Sequence, residues 1–96
     1  MKPAFEIYDR QSAEVGNLIV SMIRCTRNLH AGDFDSRAEI LIYQKGEACD
    51  PAWVGPPHIV ADLWEWTVSS LKRHPVEDVE NKLYDYVQRF RRPSVF

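Results

Sequence analysis

At 96 residues, 27% of them charged and with a net charge of −2, the chain has the balance of an ordinary globular domain with one modest core. That charge argues against a protein whose main task is wrapping nucleic acid. No apolar run reaches the ~18 residues of a membrane span. The nearest, Leu18 to Ile23, is broken by Ser21 and lacks a signal-peptide layout. A single cytoplasmic domain over residues 1–96 is therefore expected, with Cys25 and Cys49 as buried thiols rather than a disulfide.

In chain order, Phe5 to Tyr8 is short and apolar, ambiguous between a strand and a helical turn. Ser12 then resembles an N-cap. Val15, Leu18, Ile19, Met22, Ile23, Thr26 and Leu29 follow at helical spacing, with Gly32 placed to end the run. The spacing predicts a buried helix over 12–30 with Arg24 and Arg27 on its polar side. Gly16 and the β-branched content argue against it.

Ser36 and Glu39 form a capping-box pattern, and Gly46 is placed to close a short helix behind it. Ile40-Leu41-Ile42-Tyr43 has the β-rich character of a strand instead. The helix is favoured. The strand reading would give an α+β fold with a small two-stranded sheet from residues 5–8 and 38–45. Gly46 to Pro57, rich in proline and glycine, reads as a loop.

Two helices then hinge at Pro75. The first, about His58 to Arg73, carries Ile59, Val60, Leu63, Trp64, Trp66, Val68 and Leu71 across an arc of roughly 200°. Such a face is too wide for one neighbour, so the helix either sits centrally or is part-covered by another molecule. In the second, Val76, Val79, Leu83, Tyr86, Val87 and Phe90 fall in an arc of roughly 100°. Pro75 suits its first position. Glu77, Asp78 and Glu80 sit at its positive end, Arg89, Arg91 and Arg92 at its negative end, and Pro93 stops it. The expected fold is mainly α: a small single-domain helical bundle whose C-terminal αα-hairpin packs on helix 12–30.

Among candidate sites, Trp53, Trp64, Trp66 and Val68 form the expected interface, since tryptophan buries much area with few rotors and keeps one polar handle. Self-association through Trp64, Trp66 and Val68 is its most concrete form, giving a homodimer. Residues 33–66 hold two basic and seven acidic side chains, a local charge of −5. Asp33, Asp35, Glu39, Glu47 and Asp50 therefore form a candidate surface for a basic protein partner. His58, Asp62 and Glu65 share a helical stripe, and His30 with Asp33 and Asp35 is a weaker cluster. Neither supplies a convergent ligand set, so no metal and no cofactor is expected.

Catalysis finds little support. Cys49 stands beside acidic residues that discourage a thiolate, and the four glycines form no phosphate loop. The expected function is a small non-enzymatic binding protein: an adaptor, a regulator, or an inhibitor of the kind phages and plasmids direct at host proteins. The alternative is a nucleic-acid-associated regulator using Arg24 and Arg27 or the basic C-terminal end, Arg89, Arg91 and Arg92. Lys72 and Arg73 fall at the opposite end of the antiparallel hairpin, which weakens a single basic patch. The acidic start of the last helix disfavours it as a recognition helix. The tail Ser94-Val95-Phe96 weakly fits a peptide captured by strand addition.

Overall fold

The computed structural model describes residues 4–29 and 32–91, with side chains as far as residue 86 in the last helix. The chain runs β1 (Glu6–Val15), β2 (Leu18–Asn28), β3 (Phe34–Gln44), β4 (Trp53–Gly55), α1 (Pro57–Leu71) and α2 (Val76–Arg91). The strands form one antiparallel sheet in the order β1-β2-β3-β4. α1 lies against β2 and β3, and α2 packs against β4 and α1.

This overturns the mainly α helical bundle expected from sequence. The fold is α+β, and residues 12–28 of the helix predicted over 12–30 are the end of β1, a turn and β2. The turn is Gly16-Asn17, with Val15 paired to Leu18 across it. Gly16 takes φ 60, the left-handed conformation that a two-residue hairpin turn demands of its first central residue. The glycine that weakens a helix is what this hairpin needs.

β2 lies between β1 and β3, and its side chains are buried on both faces. One face lies under the helices, the other among the side chains of the neighbouring strands. Val20 and Met22 point one way, and Ile19, Ile23 and Cys25 the other. An apolar run with no strict alternation is the result, and it mimics a buried helix. β3 repeats the effect, with Ile40 and Ile42 on one side and Leu41 and Tyr43 on the other. The helix favoured for residues 36–45 is therefore also corrected to a strand. The apparent capping box is used differently: the Ser36 hydroxyl meets that of Thr26 at 3.3 Å, and Glu39 pairs with Arg37 at 2.8 Å. The α+β alternative was closer but mispaired. Residues 5–8 and 38–45 do lie in one sheet, but β2 separates them.

The core fills the space between helices and sheet. Val20, Met22, Ala38, Ile40 and Ile42 from the sheet meet Trp53, Val60, Leu71, Val79 and Leu83. Arg24 closes one end of this layer. Its guanidinium donates to Asp9 at 2.6 Å and to the Pro57 carbonyl at 3.4 Å, tying β1, β2 and the start of α1 together. Pro56 is extended and Pro57 opens the helix, where a missing N–H costs nothing. The wide arc of α1 now has its explanation. Val60, Thr67 and Leu71 are buried, and Ile59, Leu63, Trp64 and Val68 pack at their flanks, because α1 touches both the sheet and α2.

Among the described residues no helix covers the other face of the sheet. Ser12, Ser21 and Tyr43 form a hydroxyl chain across it, at 2.8 and 3.1 Å. The guanidinium groups of Arg27 and Arg37 both lie over the Phe5 ring, 4.4 and 4.3 Å from charge to ring centre.

Candidate functional site

The two helices leave a groove between them on the side away from the sheet. Leu63 and Trp66 of α1 form one wall; Lys82, Asp85 and Tyr86 of α2 form the other, around a cavity of about 450 Å³. The groove continues past Trp66 into a second hollow of about 340 Å³, lined among others by Ser70, His74, Asp78 and Asn81. Helical spacing produces it. Positions 63, 66, 70 and 74 form one stripe of the first helix and its end, and 78, 82, 85 and 86 face it from the second.

Trp66 is common to both hollows and remains 39% exposed; Tyr86 is 40% exposed. Thr67 and Leu71 turn into the core, so a residue one position before Thr67 emerges at the flank, about 100° round the helix. The floor of the larger hollow is apolar, and Lys82 and Asp85 place one charge of each sign on its rim.

The other residues of the expected interface lie elsewhere. Trp53 is 2% exposed and belongs to the core. The Trp64 indole N–H donates to the Val20 carbonyl at 3.0 Å, fixing that ring against the sheet. Val68 packs on the core beside it. Of the four, Trp66 alone stands well exposed.

The acidic residues do not form one surface. Asp35 receives both Nε and Nη2 of Arg27, at 3.0 and 2.7 Å, and Glu39 is paired with Arg37. Asp33 precedes β3, whereas Glu47 and Asp50 follow it. At ~3.3 Å per residue the strand holds these ends about 30 Å apart. The basic alternative is divided as well. Arg24 and Arg27 sit on opposite faces of the sheet, each bonded to a carboxylate. Lys72 and Arg73 are exposed after α1. The side chains of Arg89 and Arg91 lie outside the described residues, as do Arg92, His30 and the tail Ser94 to Phe96.

His58, Asp62 and Glu65 are all exposed on α1. Among the described residues no three His, Cys, Asp or Glu side chains converge in metal-binding geometry. Both cysteines are free thiols, Cys25 buried as expected and Cys49 exposed, against the expectation, in the segment between β3 and β4. Burial pushes the Cys25 thiol up, with Glu39 adding to the effect and Arg37 and Arg10 opposing it. Loss of hydration, then Asp50 and Glu80, does the same to Cys49. Neither environment favours the thiolate that nucleophilic chemistry needs.

The sequence named Trp66 among four expected interface residues but did not mark Leu63, Lys82, Asp85 and Tyr86 as its companions. Tyr86 shares the periodicity of Val79 and Leu83, which are buried, and so read as core. Only its place one helical turn beyond Leu83 hinted that it would overhang the end of the packed layer. No family model matches the chain, and no curated protein or solved structure does.

Proposed function

We propose that this chain is a non-enzymatic protein-binding domain, acting as an adaptor, regulator or inhibitor through the α1–α2 groove around Trp66. One observation carries the reading: Trp66 and Tyr86 keep about two fifths of their surface in water beside a hollow of about 450 Å³. Tryptophan and tyrosine supply large, stiff contact area at small entropic cost, and an aromatic set in a pocket is the usual anchor of a protein interface. The walls suit an occupant with an apolar side chain to lie on Leu63, Trp66 and Tyr86, flanked by polar groups that answer Lys82 and Asp85. An amphipathic segment of a partner protein has that chemistry.

The reading rests on the groove and not on the acidic segment, whose carboxylates are dispersed or already paired. The test is paired affinity capture on the wild-type domain and on Trp66→Glu. Trp66 holds no hydrogen bond among the described contacts, so the variant should keep its fold by circular dichroism. A protein retained by the wild type in stoichiometric amount and lost with Trp66→Glu is the expected result. Equal retention by both would reject the groove.

A further inference from the structure

We infer that the free edge of β1 is a self-complementary interface, on which a second copy of this chain adds its own β1 antiparallel to form a continuous eight-stranded sheet. β1 is an edge strand of ten residues, Glu6–Val15, while the opposite edge, β4, has three. Among the described residues nothing pairs with its outer side. It contains no proline and no lysine, two of the devices that keep long edges from pairing. Two others are present: the charged side chains Glu6, Asp9, Arg10 and Glu14, and a bulge, where the register with β2 shifts between Ile7 and Asp9. The bulge confines regular pairing to Asp9–Val15, whose middle residue is Ser12.

The hydrogen-bond phase decides which residues serve the edge. Val15 and Leu18 close the two-residue turn and are a hydrogen-bonded pair. Such pairs alternate along an antiparallel ladder, so Asp9, Gln11, Ala13 and Val15 turn their N–H and C=O groups to β2. Arg10, Ser12 and Glu14 turn theirs outward, and an antiparallel mate must use those three.

Charge then selects the register. With a two-fold axis at Arg10, arginine faces arginine; at Glu14, glutamate faces glutamate. At Gln11 or Ala13, where a non-hydrogen-bonded pair lies on the axis, Arg10 and Glu14 face no opposite charge. With the axis at Ser12, Arg10 faces the second copy's Glu14 and Glu14 faces its Arg10, on the open face of the sheet. This register is also the one centred on the unbulged stretch. Two independent features, the bulge position and the charge order, thus select the same residue. On the other face Gln11 meets Ala13 and Asp9 meets Val15, so no like charges oppose one another. An axis perpendicular to the sheet keeps both helical layers on one side and leaves each Trp66 groove clear.

The test is solution mass by light scattering behind a sizing column, over a dilution series, for the wild type, Arg10→Glu, Glu14→Arg and the double reversal. Both side chains are exposed, and circular dichroism verifies the fold of each variant. The wild type and the double reversal should be dimers. Each single reversal should dissociate at least tenfold more readily, and mixing the two single variants should restore a mixed dimer. In the wild type, backbone amides of Arg10, Ser12 and Glu14 should exchange more slowly as concentration rises. A wild-type monomer at every concentration overturns the proposal. A dimer indifferent to the reversals, or single variants that do not recombine on mixing, overturns it equally.

Discussion

Gly55 offers a sharp test of how β4 is packed. It sits in β4 opposite Ala38, two residues after Trp53 and on the same side of the strand. A Cβ added there would meet the indole ring: 2.7 Å from Cη2, 3.0 Å from Cε2, and closer still to Cζ2. Carbon pairs rest at ~3.5–4.0 Å, so the ring must move by about 1 Å. It has no room to do so, being 2% exposed and packed in the core. Forcing an extra carbon into such a layer costs about 1–3 kcal/mol. The backbone at Gly55 is not in the left-handed region, so alanine also stiffens the unfolded chain and returns about 0.4–1 kcal/mol. Gly55→Ala should therefore lose a net amount of about 1–2 kcal/mol, read as a lower urea midpoint in parallel fluorescence and circular dichroism. In a Trp53→Leu background the clash is gone, and the same substitution should be neutral or slightly stabilising. An equal cost in both backgrounds would show that the indole does not lie over Gly55.

The hairpin turn is tested at Gly16, where a Cβ meets nothing within 4 Å and the only cost is the backbone at φ 60. Gly16→Val should lose about 1–2 kcal/mol by urea unfolding and Gly16→Asn clearly less, since asparagine tolerates this conformation; equal losses would argue against a left-handed residue. Trp64→Phe keeps most of the ring but removes one of two donors to the Val20 carbonyl, which retains its ladder partner Ala13, and should cost about 0.5–1.5 kcal/mol in the same assay. A stability within 0.5 kcal/mol of the wild type, roughly the effect of a surface change, would mean that this bond is not made. Because the Cys49 thiol is pushed up by lost hydration and then by Asp50 and Glu80, less thiolate is present at a given pH. Iodoacetamide at mildly alkaline pH should label native Cys49 more slowly than the unfolded chain, and Asp50→Asn should speed the native reaction. A native rate matching the unfolded one would refute the shift.

The helices were legible because their signals are local. Pro57 and Pro75 mark the starts, and the carboxylates at Glu77 and Asp78 sit on the positive end of α2. The hairpin was misread because its evidence is relational. Val15, Leu18, Ile19, Met22, Ile23 and Thr26 satisfy a helical period only because β2 carries apolar side chains on both faces, which removes the alternation that marks a half-buried strand. The informative pair was Gly16-Asn17, a two-residue turn signature between β-rich flanks. The same blindness affected Ile40 to Tyr43, where a serine and a glutamate three apart imitated a helix start.

At the candidate site, Trp66 could be singled out by its place at the border of the α1 arc. The groove could not, because it depends on the offset between two helices that both lean on a sheet the sequence had hidden. Arg24 and Arg27 show the converse error. Three residues apart they share a helical face, but in a strand they point to opposite sides.

Photo-crosslinking from three chosen positions tests the groove most directly. A benzophenone side chain would replace Tyr86 inside the groove, Tyr84 on the exposed flank of the same helix, and Leu41 on the open face of the sheet, each in turn. A partner protein crosslinked from Tyr86, with the yield abolished by Trp66→Glu and little product from the other two, is the outcome the groove requires. Capture from Leu41 with none from Tyr86 would move the binding surface to the sheet and end the case for Trp66.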